Sequence, residues 1–233
     1  MTSLNSTDAT GSANPGGDGA GDHTENGPDS SEQSGRSSRD HFSAVTGAYA
    51  DPALIAVLEG LRATRSDAPS SVWSVLNDSE RLRAVRETGL LEQGPHPAID
   101  QIVGMTVEAI GIPHAALNMI TDIEQVTAGI ASSSNDVGDR RTYPLTDSLC
   151  VYVVAGGAPL IIDDIVDHPV LGDHSAARSG VVGSYIGIPI VDGAGHAVGT
   201  LCAWDTQPHH WSSGEIQIMT DLAHVVQSTL FDQ

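Results

Sequence analysis

The residues in this chain with the means for chemistry are two thiols and three polar-tipped side chains on stretches with strand character. Cys150 and Cys202 are the two cysteines. Two thiols are too few for a disulfide scaffold or a thiolate zinc cage. Both lie in apolar runs, Ser-Leu-Cys-Val-Tyr-Val-Val and Thr-Leu-Cys-Ala-Trp. The expectation is a pair of reduced, inert core thiols, with a redox-sensing thiol as the alternative. Asn118, Tyr185 and Trp204 fall on stretches with strand character. Alternation groups Asn118 with Ala116 and Ile120, Tyr185 with Gly183, Gly187 and Pro189, and Trp204 with Cys202, Thr200 and Val198. Glycines beside a single tyrosine leave open space above a sheet, as a bound small molecule requires. The three are either the polar lining of a pocket or core polar groups with satisfied hydrogen bonds. With Cys150 and Cys202 they make the candidate ligand-binding set.

Other clusters carry less. His209 and His210 are adjacent in a turn, a poor spacing for metal ligands. Asp163, Asp164, Asp167 and His168 read as a solvated loop capping a helical turn rather than a divalent-ion site. No metal site and no catalytic residue is expected.

Charge narrows the partners. The chain carries 30 acidic against 10 basic side chains, a formal net charge of −20, and every basic residue is Arg. Such a chain repels phosphate backbones and anionic lipid heads, so neither nucleic acid nor a membrane surface is an expected partner. The N-terminus lacks a basic segment followed by an apolar one, and no apolar run reaches the ~20 residues of a spanning helix. A cytoplasmic location is the expectation.

The elements that must position these residues follow from periodicity. Residues 1–47 form an acidic leader in which, up to Arg39, the only large hydrophobic side chains are Met1 and Leu4. It cannot bury enough surface to offset its chain entropy and is expected to be disordered. Over 48–76 a short helix from Asp51 to Arg65, with Leu54, Ile55, Leu58 and Leu61 on one stripe, precedes an Ala-Pro-Ser-Ser linker. The domain proper is 77–233. Asn77 and Glu80 have capping-box spacing for a helix that stops at Gly89. A second helix runs from Pro97 to Ile110. His114–Thr121 and Glu124–Ala131 read as a hairpin, and Ser132–Tyr143 as a polar loop. A helix follows from Asp147 to Ala155, then a short strand, Leu160–Ile162, and a loop with one or two helical turns to Gly180. Ser184–Ile190 and His196–Asp205 form a second hairpin, and Ser212 or Ser213 caps a final helix to Leu230. The expected class is α+β, an antiparallel sheet of about five or six strands with helices on both faces.

Five fragments in this order resemble the GAF family: Glu80–Leu91, Tyr143–Cys150, Pro159–Asp164 with Asp167–Pro169, Tyr185–Ile190 and Gly199–Asp205. The resemblance runs from about Asn77 to Leu230 and is to the bacterial signalling subgroup, whose domains precede kinases, cyclases or phosphatases. It implies a sheet with the terminal helices on one face and a small-molecule pocket on the other. Fold does not fix function, because relatives bind many ligands and some bind none. Methionine-sulfoxide reductases of this fold place a cysteine like Cys150 in the corresponding helix, but their second, catalytic cysteine lies in the loop before the next strand. His174–Gly183 contains none. The cyclic-nucleotide motif of the family includes a Lys, which this chain lacks. Bilin-binding relatives commonly follow the attachment Cys with His, where here Val151 and Ala203 stand. No histidine falls in a haem-binding pattern, so no cofactor is named.

The resulting expectation is a non-enzymatic sensor module that binds an unidentified small molecule, signalling in trans to a separate kinase, phosphatase or regulator, or through dimerisation. A ligand-free dimerisation or scaffolding module is the alternative, and a thiol-dependent reductase a distant third. In the final helix Ile216, Met219, Ala223, Val226 and Leu230 follow the 3-4-3-4 spacing of a coiled-coil seam. Ile218, Leu222 and Val225 form a second stripe beside it. One stripe covers the sheet; the first is taken as the homodimer interface, with the helix at Leu54–Leu61 as the other possible cover.

Overall fold

The computed structural model describes residues 70–92, 96–133 and 141–232. The leader, the helix expected over 51–65 and part of the loop after Ser132 lie outside the described residues.

The described chain begins with two consecutive helices, α1 (Ser70–Leu76) and α2 (Ser79–Glu87). The first replaces part of the expected linker. It is too short for periodicity to reveal and owes its helicity to packing, since Leu76 is fully buried in a cluster with residues of a later helix. The cap of α2 also moves by one residue. Asp78, not Asn77, accepts the Arg81 backbone N–H at 2.8 Å, while the Asn77 side chain donates to the Trp73 carbonyl at the end of α1. Gly89 follows α2 with φ 69°, the left-handed value that ends a helix at glycine without a Cβ penalty.

Helix α3 (Pro97–Ile110) starts on a proline and ends on left-handed Gly111, burying Ile99, Ile102, Val103 and Ile110 on one face. Six strands follow: β1 (His114–Ile120), β2 (Glu124–Ser132), β3 (Thr142–Pro144), β4 (Leu160–Ile162), β5 (Ser184–Val191) and β6 (Ala197–Asp205). They pair antiparallel in the order β3-β2-β1-β6-β5-β4. The three-residue β3 overlaps the end of the segment expected as loop and is defined by pairing with β2 rather than by its own pattern. A 3-10 turn at Leu145–Asp147 leads to α4 (Cys150–Gly156), so the expected single helix from Asp147 is split. A one-turn helix α5 (Ser175–Arg178) precedes β5, and the final helix α6 (Ser213–Phe231) opens on a capping box between Ser212 and Glu215.

Each face of the sheet has its own core. Helices α2, α3 and α6 cover one face, where Val85, Ile102, Met219 and Val226 meet Leu117, Ile186, Ile188, Ile190 and Leu201. On the other face α1, α4 and the β4–β5 connection pack Leu76, Val153, Ile165 and Leu171 over Ala116, Ile120 and Cys202. The three alternating isoleucines of β5 form a helix-covered core row, as their pattern requires.

Two irregularities change what alternation alone assigns. Ala128 is an extra residue of β2 opposite the Leu117/Asn118 step. Val198 is likewise extra in β6, since Ile190 pairs with Gly199 and Val191 with Ala197. A bulge of one residue reverses the side-chain parity beyond it. Val198 therefore packs with the α6-side core and Ala197 with the α4-side core, the reverse of their expected placement; Thr200, Cys202 and Trp204 keep theirs.

Arg81 ties the layers together at one end of the sheet. It is 1 % exposed. Its guanidinium donates to the carbonyls of Val75 (3.0 Å), Leu76 (2.6 Å) and Ile120 (2.7 Å), with a longer contact to Ala197 (3.4 Å). Burial lowers its pKa to about 10, partly offset by Asp78 and Asp122. It stays charged at neutral pH and binds the end of α1 to the ends of β1 and β6.

Candidate functional site

A pocket of about 420 Å³ lies on the α4 face of the sheet. Strands β1, β2, β5 and β6 make its floor, the 3-10 turn and the start of α4 one wall, and the α5–β5 connection another. Asn118, Cys150, Tyr185, Cys202 and Trp204 all line it. Residues spread over 87 positions of sequence converge because β1 is paired with β6, and β6 with β5, in a register that sets their same-face positions side by side.

Asn118 is the centre of the floor. Thr127, its cross-strand partner on β2, donates from Oγ1 to Asn118 Oδ1 at 2.8 Å. That bond orients the amide so that Nδ2 points at both sulfurs, 3.3 Å from Cys150 Sγ and 3.4 Å from Cys202 Sγ. The sulfurs are 3.8 Å apart and reduced. The Tyr185 hydroxyl lies 3.3 Å from Cys150 Sγ. The wall is braced separately: Ser148 Oγ donates to Gln125 Oε1 at 2.5 Å and accepts from the Val151 N–H at 3.3 Å.

The surroundings separate the two thiols. The interaction with Cys202 lowers the Cys150 pKa; burial opposes this, and Tyr185 and Asn118 reinforce the lowering. Cys202 is pushed well above the ordinary thiol value by its interaction with Cys150 and by burial. Tyr185 is pushed well up as well, by burial and then by the neighbouring sulfurs.

The pocket differs from the expected one at its glycines. A Cβ at Gly187 would sit 2.5 Å from the Tyr185 hydroxyl oxygen, so the space over Gly187 is taken by the Tyr185 ring itself. Gly183 is small because the Thr206 backbone approaches within 2.4 Å of where its Cβ would be. Gln125, Thr127 and Ser148 also line the pocket and contribute polar groups that the sequence did not single out. The available signal was the alternation of Gln125 and Thr127 on a strand otherwise apolar at buried positions. At the rim His114 stacks on Trp204, with ring centroids 5.1 Å apart and planes 18° from parallel. The two are cross-strand partners in the β1–β6 register, and Ser132 holds the His114 ring through Nδ1 at 2.9 Å.

The acidic loop is occupied by local bonds. Asp163 accepts from the Trp211 N–H and pairs with His210 at 2.7 Å. Asp164 accepts from the Val166 N–H, and His168 Nδ1 accepts from Val170 and Leu171. Among the described residues no group of three or more His, Cys, Asp or Glu is placed to hold a metal ion.

The final helix presents a different seam from the one expected. Met219, Ala223 and Val226 are buried in the core of their own chain, with Ile216 and Leu230 packed at its edge. The 3-4-3-4 seam is thus the sheet-facing side. Of the second stripe, Ile218 and Leu222 are half-buried and Val225 is 46 % exposed.

The family model of the GAF domain matches residues 94–230. The chain belongs to the GAF family. Among solved structures, this GAF domain is similar to the GAF domain of a phosphoenolpyruvate-protein phosphotransferase from Acinetobacter, at 14 % identity and TM-score 0.50, covering 65 % of this chain and 90 % of that one. It is also similar to a free methionine-R-sulfoxide reductase from Neisseria meningitidis (18 % identity, TM-score 0.47, covering 68 % and 83 %). A further similarity is to the GAF domain of a phosphoenolpyruvate-protein phosphotransferase from Coxiella burnetii (20 % identity, TM-score 0.44, covering 66 % and 96 %). The first of these likenesses, at TM-score 0.50, bears on the fold alone. No curated protein matches the chain. No helix among the described residues is long and apolar enough to cross a membrane.

Proposed function

We propose that this GAF domain is a non-enzymatic regulatory module that binds a small molecule in the pocket over Asn118 and passes its state to a partner, either in trans or through dimerisation. The observation that carries the reading is the convergence of five sequence-distant side chains on one pocket with both polar and apolar lining. The chemistry of that lining narrows the ligand. The chain has no Lys, no Arg is among the described lining residues, and Asp147 stands at the wall. An anionic ligand would find no counter-charge there. A neutral or cationic molecule with a flat ring to lie near the His114–Trp204 stack fits better. The non-enzymatic reading is supported by the absence of any cysteine over residues 174–183.

The test is native mass spectrometry and absorbance of the purified protein, followed by thermal shifts with neutral and cationic heteroaromatic compounds. A bound molecule at 100 times its Kd stabilises the fold by about 2.7 kcal/mol. We expect such a shift, reduced in Trp204→Ala. A protein that retains nothing and shifts with none of the compounds would overturn the reading in favour of a ligand-free dimerisation or scaffolding module. The exposed α6 stripe is the feature that favours this second reading. Val225→Glu should leave the fold intact and, if α6 pairs between subunits, convert a dimer to a monomer by light scattering.

A further inference from the structure

We propose that Cys150 and Cys202 form a reversible intramolecular disulfide, making the floor of the pocket a site of oxidation by peroxides. Three features of the structure converge on this. The two sulfurs are already in contact at 3.8 Å, and a disulfide needs them at about 2.05 Å, a gap that side-chain rotation and a small shift of α4 against β6 can close. Both line the pocket, so a molecule the size of hydrogen peroxide that enters it reaches them without unfolding the chain. The Asn118 amide and the Tyr185 hydroxyl are placed to donate to Cys150 Sγ as negative charge develops on it. An inert core thiol packs against carbon; these two pack against each other and against polar groups that favour an anion.

The chemistry balances in two steps. Cys150 sulfur attacks one oxygen of the peroxide; an S–O bond forms, the O–O bond breaks, and the thiol proton leaves with the other oxygen as water. Cys150 is then a sulfenic acid. The Cys202 sulfur attacks Cys150 Sγ; the S–S bond forms, the S–O bond breaks, and a second water departs with the Cys202 proton. Two thiols lose two electrons in all, and the peroxide is reduced to two waters. A dithiol reductant reverses the change by thiol–disulfide exchange. Cys150 is assigned the attacking role because the Tyr185 hydroxyl reaches it in addition to the Asn118 amide, which both sulfurs share. Cys202, on the rigid central strand β6, is the resolving sulfur.

The inference is independent of which ligand the pocket takes. It is tested on the full, unmodified chain by treating the reduced protein with equimolar hydrogen peroxide, blocking remaining thiols with a maleimide after denaturation, and measuring intact mass and linked peptides. The expected result is joint loss of both thiols, a mass lower by two hydrogen atoms, a Cys150–Cys202 cross-linked peptide, and full reversal by dithiothreitol. Cys202→Ser should trap a sulfenic acid at Cys150 that dimedone labels, whereas Cys150→Ser should leave Cys202 unmodified over the same time. A disulfide between chains, over-oxidation of one cysteine without a link, or reaction only in the urea-unfolded protein would each overturn the proposal. If either serine variant fails to fold, the linked-peptide result on the unmodified chain decides.

Discussion

The two faces of the same sheet have been given opposite tasks. On the face under α2, α3 and α6, the strands present Leu117, Met119, Ile186, Ile188, Ile190 and Leu201, with the buried Ser184 as a polar side chain at the start of the β5 row. On the α4 face the neighbouring positions of the same strands are Asn118, Thr127, Tyr185, Thr200 and Cys202, all buried and most of them linked by hydrogen bonds. Thr200 Oγ1, for example, donates to the Cys150 carbonyl at 3.4 Å. A close-packed apolar face supplies the stability. The other face can then carry polar groups and an open volume, at a cost the first face offsets. The backbone between them transmits no choice of its own: one residue of parity decides which task a side chain serves.

That division predicts a ranking of mutational effects. The largest is expected on the apolar face. Met219→Glu places a carboxylate among Val85, Ile102 and Val226 with no partner and should unfold the domain or cost at least about 3–5 kcal/mol in urea denaturation. A folded, monomeric Met219→Glu protein would restore the seam 216-219-223-226-230 as an interface. Next is Arg81→Met, which keeps the bulk but leaves the Val75, Leu76 and Ile120 carbonyls without their donor. About 2–3 kcal/mol should be lost, with the loss of helical signal from α1 visible in hydrogen exchange before the rest of the fold.

On the pocket face the effects shrink. Tyr185→Phe removes one hydrogen-bonding hydroxyl and should cost no more than about 1 kcal/mol, yet slow oxidation of Cys150 by peroxide because its oxygen-borne donor is gone. An equal rate in the variant would show that the Tyr185 hydroxyl plays no part in activating the sulfur. The smallest effect belongs to neither face. At the β5–β6 turn, His196 Nδ1 meets Asp192 at 2.9 Å, and this hydrogen bond raises the His196 pKa. Its contribution to stability is therefore complete below the unfolded histidine value and is lost as pH rises through the higher folded one. An NMR titration of His196 should give a midpoint above the ordinary value of 6.5, returning toward it in Asp192→Asn. A midpoint at or below that value would remove the pair from the account.

Much of this architecture was written in local pattern. The 3.6-residue spacing of Ile99, Ile102, Val103 and Ile110 between Pro97 and Gly111 determines α3. The turn residues around Gly193 and Gly195 determine the β5–β6 hairpin, and Ser212 with Glu215 the start of α6. These signals are local because the hydrogen bonds and φ values they satisfy involve residues a few positions apart. The same alternation placed Asn118, Tyr185, Cys202 and Trp204 on consistent faces. It could not place Val198, because a bulge exists only relative to the strand it is paired with. It left β3 as loop and α1 as linker, since three and seven residues hold no periodicity and their conformations come from pairing with β2 and packing on α4. Nor could it orient α6: both apolar stripes satisfy the spacing, and only the direction from which the helix docks chooses Met219, Ala223 and Val226 to face inward. The contact between Cys150 and Cys202 is of the same kind. Nothing within a few residues of either cysteine refers to the other; 52 positions separate them, and the β1–β6 register, the Asn118 amide and the angle of α4 bring the two sulfurs together.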